Sequence, residues 1–96
     1  MIVLNVLYRC KPGMRDKFLD RLVSEGIDKT SQAEDGNLRY HYYLPVDGGD
    51  ELLLMEKWRD ADALRAHSLQ PHFTCLKEIK DEYVLDTVIE RFDAAD

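Results

Sequence analysis

The sequence predicts an α+β domain in which a four-stranded antiparallel sheet carries its helices on one face. Three observations predict it. Four segments have strand composition or alternation, and apolar residues recur at three- and four-residue spacing in the segment after the first of them. The resulting order over 96 residues is strand, helix, strand, strand, helix, strand, the order of two split βαβ units. Both sides of the predicted strands are largely apolar, so the sheet face without helices needs a cover.

Residues 2–9 form an apolar run rich in β-branched and aromatic types, closed by Lys11-Pro12-Gly13, a turn that lacks one ladder donor. A helix is expected from Gly13 or Met14, with Met14, Phe18 and Leu22 beside Leu19, Val23 and Ile27 on one stripe and charged residues opposite, running to the Asp35-Gly36-Asn37 break. Leu38 to Leu44 alternates aromatic and polar residues before Pro45 and reads as strand two. Asp47-Gly48-Gly49-Asp50 supplies a hairpin, since consecutive glycines accept the positive φ of short loops. Glu51 to Trp58 is strand three. Asp60 is placed to cap the next helix, which Pro71 interrupts near Leu69, leaving a shorter helical segment around Phe73 to Lys80. Tyr83 to Phe92 has strand composition, and residues 93–96 read as a frayed tail. One domain spans residues 1–96, with no repeat, linker or low-complexity tract.

If Ile2, Leu4, Val6 and Tyr8 face the helices, alternation sends Val3, Asn5 and Leu7 to the other side, and strand three divides Leu53 and Met55 from Leu52, Leu54, Glu56 and Trp58. An exposed apolar sheet invites aggregation, so a second copy is expected to pack there as a two-fold homodimer.

Lys plus Arg number 13 against 19 Asp plus Glu, a formal charge of -6 that disfavours nucleic-acid and membrane-surface binding. The apolar N-terminus has neither a basic leader nor a small-residue cleavage site, and Arg9 and Lys11 interrupt it too soon for a spanning helix, so a cytoplasmic location is expected. Cys10 and Cys75 stand far apart outside any CxxC or metal-spaced pattern, and neither a disulfide nor zinc is assigned.

Taken in order, Lys11-Pro12-Gly13, Glu34-Asp35-Gly36-Asn37-Leu38-Arg39-Tyr40, Glu56-Lys57-Trp58-Arg59-Asp60, Ala63-Leu64-Arg65-Ala66-His67 and Pro71-His72-Phe73 resemble the antibiotic biosynthesis monooxygenase family, including its quinol monooxygenase-like members, over essentially the whole chain. The resemblance implies ferredoxin-like subunits paired as a dimeric α+β barrel, often with the last strand reaching across to the neighbour. The family is mixed in activity, and fold alone does not settle chemistry. Its haem-degrading branch resembles this chain at Asn5 but carries tryptophan where His67 stands, which argues against haem.

Chemistry is expected where strand three meets the following helix. His67 is the candidate base, because an imidazole titrates near neutrality and can accept a phenolic proton; the family position strengthens this reading over that of a partly exposed helical histidine. Asn5 is a carboxamide inside an apolar strand, where an unpaired amide costs about 1–3 kcal/mol. It is a second catalytic candidate, steadying an oxyanion, against the alternative of a backbone or water partner. Trp58, Phe73, His72, Tyr40 and Tyr42 are candidate substrate contacts, the aromatic ones equally readable as core. Glu56 is expected to orient an imidazole or, preferably, to pair with Arg39 or Arg59. His67 and His72 do not share a helix face, no third ligand is identifiable, and catalytic metal sites use about three, so no metal is assigned. No glycine-rich phosphate loop or dinucleotide fingerprint is present, so no cofactor is assigned either.

These residues suggest a cofactor-independent monooxygenase using dioxygen on a small aromatic such as a quinol. The alternatives are a small-molecule binding or stress-associated module without turnover, and an isomerase or lyase acting on a small oxo compound. For the last, a substrate phosphate would call on Arg39, Arg59 or Arg65.

Overall fold

The computed structural model describes residues 1–95. Its elements run β1 (Ile2–Cys10), α1 (Arg15–Ser24), α2 (Ile27–Gln32), β2 (Asn37–Tyr43), β3 (Glu51–Trp58), α3 (Ala61–Ser68), α4 (Pro71–Tyr83) and β4 (Val84–Asp93). The strands form one sheet in the order β2-β3-β1-β4, and every neighbouring pair is antiparallel. This is the expected ferredoxin-like α+β arrangement.

Alternation decides the faces. Ile2, Leu4, Val6, Tyr8 and Cys10 of β1 are buried under the helices, as are Leu52, Leu54, Glu56 and Trp58 of β3. Phe18 and Leu22 of α1, Ile27 of α2, and Leu76 and Ile79 of α4 close on them from above. Each such large apolar side chain contributes roughly 1.5–3 kcal/mol when fully removed from water. On the opposite face Val3, Leu7, Leu53 and Met55 are half-buried, while Tyr43, Val88 and Phe92 are exposed.

The helical segments depart from expectation in two places. The single helix expected from Gly13 or Met14 onward is two, because Gly26 takes a left-handed φ of 71° between α1 and α2, a conformation that ends a run of helical hydrogen bonds and suits glycine. Pro71 does not leave a shorter segment behind it. It opens α4, at 13 residues the longest helix among the described residues, since the first turn of a helix does not need the amide that proline lacks. The Asp60 cap is present, its Oδ1 accepting the Ala63 N–H at 2.9 Å. At the chain end, Asp93 belongs to β4, and the Met1 ammonium and carbonyl bond the Ala94 carbonyl and N–H at 3.0 and 2.9 Å, so these residues are not a frayed tail; Asp96 lies outside the described residues.

Gly36 brings the segment before β2 against α3. A methyl group at this position would stand 2.5 Å from the Ala63 Cβ, and its φ is +86°. The Gly36 carbonyl also accepts the Arg59 N–H at 2.8 Å. That close approach delivers Glu34 to the buried side of α3.

Candidate active site

Between the sheet and helices α3 and α4 lies a cavity of about 410 Å3. That is enough for a small aromatic molecule by the usual range of roughly 300–1,000 Å3 for ligand pockets. Leu4, Val6, Leu64, Phe73 and Leu76 give it an apolar wall. His67 and Glu56 also line it.

His67 is a side chain of α3 that is only 2% exposed, so it is not a surface histidine. Its ring packs on Trp58, with centroids 4.7 Å apart, and meets Phe73 and Tyr40 edge-on at 5.2 and 5.9 Å. Its Nδ1 lies 2.5 Å from Glu34 Oε2, and His72 Nε2 lies 2.8 Å from the same oxygen. A carboxylate can only accept, so His67 Nδ1 and His72 Nε2 each donate an N–H to it. The neutral His67 ring therefore leaves Nε2 bare. That nitrogen is 3.8 Å from Glu56 Oε1, which accepts the Trp58 indole N–H at 3.0 Å.

The electrostatics follow from this burial. Desolvation lowers the pKa of His67, and the Glu34 hydrogen bond and charge oppose that shift. Glu56 is pushed up to about 7, first by burial and further by the Glu34 charge, while the Trp58 hydrogen bond works against the rise. One wall of the cavity thus holds a neutral imidazole with a free lone pair beside a carboxyl group that titrates near neutral pH. The pair suits proton transfer to and from a bound hydroxyl.

Two expectations about these groups change. Glu56 makes no ion pair with Arg39 or Arg59: it faces the helices from β3, Arg59 bonds Asp35 and Asp60, and Arg39 approaches the Met55 sulfur. A third partner for the two histidines does exist. Glu34, His67 and His72 offer ligand atoms within 4.8 Å of one another, the composition of a small divalent-metal site. At 2.5 and 2.8 Å the contacts made are hydrogen bonds.

A family model described as antibiotic biosynthesis monooxygenase matches residues 1–78. The chain belongs to this family. YcnE of Bacillus subtilis (strain 168), a candidate monooxygenase by name, is 33% identical over 73 residues, covering 76% of this chain and 75% of that protein. Among solved structures, PA3566 from Pseudomonas aeruginosa matches with a TM-score of 0.86 at 22% identity, over 99% of this chain and 94% of the other. Rv0793 from Mycobacterium tuberculosis matches with a TM-score of 0.83 at 24% identity, over 99% and 95%. At these identities the two structures speak for the fold.

In this antibiotic biosynthesis monooxygenase family member the expected site residues are divided. His67 and Phe73 line the cavity, and Trp58 and Tyr40 back the imidazole without lining it. Tyr42 packs edge-on against Tyr40, one ring further away, and burial raises the pKa of both phenols. His72 stands behind Glu34 rather than in the cavity. Asn5 is not brought to the others: it pairs with Met55 and Glu90 across the sheet and faces the open side, where its Oδ1 is buried without a partner among the described residues. Glu34 was missed because it lies 33 residues from His67, in the turn before β2, and no fixed sequence spacing joins them. No helix among the described residues is long and apolar enough to cross a membrane.

Proposed function

We propose that this chain is a cofactor-independent monooxygenase of a small phenol or quinol, working as a homodimer. One observation carries the reading. His67 is buried and lines an apolar cavity, with Nδ1 held by the Glu34 carboxylate and Nε2 3.8 Å from Glu56 Oε1.

In this reading His67 Nε2 takes the phenolic proton. The phenolate gives one electron to dioxygen, and the aryloxyl radical and superoxide combine at a ring carbon that bears hydrogen. The new peroxide takes a proton from Glu56; loss of water then breaks the O–O bond and turns that carbon into a carbonyl. A phenol and dioxygen yield a quinone and water, with the substrate as the only reductant. The protein supplies orientation, a proton acceptor and exclusion of water. The apolar sheet face opposite the helices is where the second copy packs.

The test is oxygen uptake with a panel of quinols and naphthols. Turnover is expected to form one quinone per dioxygen and to fall with His67→Ala. Absence of uptake with every compound, or an unchanged rate in the variant, removes the proposal.

A further inference from the structure

The chain carries a net charge of -6, yet the cavity is edged by cations. Arg65 from α3, Lys77 and Lys80 from α4, and Arg91 from β4 all line it, against a single acidic lining residue, Glu56. Arg91 reaches it because it pairs with Leu4 across the sheet, on the helix side. Lys77 and Lys80 fall one turn apart on the α4 face that also carries Phe73 and Leu76.

A bland account exists: long cationic side chains commonly lay their stems on apolar surface and keep their heads in water. Lys77 and Lys80 do place their ammonium groups 5.0 and 5.5 Å from the Phe73 and Tyr8 ring centroids. Such packing does not require that Lys77, Lys80 and Arg91 line the same cavity. The ion pairs among the described residues use Arg9, Arg15, Arg21, Arg59 and Arg65, and Lys77, Lys80 and Arg91 have no carboxylate partner. Arg65 pairs with Asp62, which is largely exposed. Three cations without an ion-pair partner, from two elements, thus line one apolar cavity, and an anion seated there would meet favourable potential from all three. Lys80 is partly buried, and both this desolvation and the Lys77 charge lower its pKa, against a rise from Asp81.

We infer that the ligand of this cavity is an amphipathic aromatic acid, its ring enclosed by the apolar wall and its acidic group held by Lys77, Lys80 and Arg91. This rests on the proposed function for the placement of the hydroxyl toward His67 and Glu56, and it names the substrate class. Carboxylate and phosphate share the required chemistry.

Three probes titrated without dioxygen, so that none can turn over, separate the possibilities: 2-naphthol, 6-hydroxy-2-naphthoate and 6-hydroxy-2-naphthyl phosphate, with binding followed by calorimetry. At low ionic strength the anionic probes are expected to bind at least about tenfold more tightly than the neutral one, an advantage that shrinks with added salt. Whichever anionic probe binds more tightly names the acidic group. Lys77→Met, Lys80→Met and Arg91→Gln, singly and together, should erode that advantage, read as the ratio of anionic-probe affinity to 2-naphthol affinity in the same variant. Lys17→Gln, on exposed α1 surface, alters net charge equally and should leave it intact. Circular dichroism of each variant confirms folding, and the single variants stand if the triple one does not fold. Equal affinity for neutral and anionic probes, binding of none, or a preference that survives the three substitutions overturns the inference. Tight charge-dependent binding without oxygen uptake would leave it standing and remove the oxygenase reading instead.

Discussion

Glu34 Oε2 lies 2.5 Å from His67 Nδ1, joining a turn residue before β2 to a helix residue 33 positions later. With the carboxylate accepting, the contact selects the imidazole tautomer protonated at Nδ1 and leaves Nε2 as the nitrogen able to take a proton.

Nitrogen-15 NMR reads that tautomer directly and needs no substrate. At neutral pH the His67 ring is expected to be protonated at Nδ1 alone. Glu34→Gln should mix the tautomers and lower the His67 pKa further, because the hydrogen bond and the charge that oppose desolvation are both weakened. An unchanged ring spectrum would show that Glu34 does not set the tautomer.

Gly36 should tolerate little. Alanine there meets the Ala63 Cβ at 2.5 Å and must hold a φ of +86°. Strain and overpacking together are expected to cost about 2–5 kcal/mol in urea unfolding. Adding Ala63→Gly removes the clash but not the backbone strain, so the double variant should recover part of the loss. A single variant as stable as the parent would contradict the close approach.

Glu56 makes stability depend on pH. The folded chain holds its proton up to about 7 against an ordinary value of 4.5, so its contribution is fullest below 4.5 and is lost as pH rises through about 7. His67 works the other way: its folded pKa is lowered from 6.5, so its contribution is present above 6.5 and is lost as pH falls through the folded value. The difference between Glu56→Gln and the parent isolates the first effect. The variant is expected to gain on the parent by something on the order of 3 kcal/mol between acid and mildly alkaline pH. Chemical denaturation at several pH values measures it, and parallel curves would refute the burial argument.

The sheet face bearing Val88, 40% exposed, and Phe92, 49% exposed, should be covered in solution. Light scattering is expected to give twice the subunit mass at micromolar concentration, and Phe92→Asp should shift the distribution toward single subunits. A folded monomer in the parent would leave the face without the proposed cover.

The strand and helix pattern was readable because burial acts locally through period two and period 3.6. The same alternation, followed through Leu4 and Val6, already set Asn5 apart from the cavity despite its appeal as an isolated polar residue. Gly26 and Pro71 were visible too, but each has two local meanings. Glycine breaks or merely weakens a helix, and proline ends or begins one; packing of Ile27 and Leu76 chose between them. Glu34 had no such signal. Its role depends on a crossing of two segments with no fixed spacing, as does the placing of Arg91, Lys77 and Lys80 on the lining of one cavity.

Trp58 is the only tryptophan, stacked at 4.7 Å on His67 and bonded to Glu56. Its fluorescence is therefore a built-in optical probe of the chamber. A protonated imidazole quenches indole emission by accepting an electron from the excited ring, so intensity should follow the charge on His67. A ligand seated there would report its own arrival without any label.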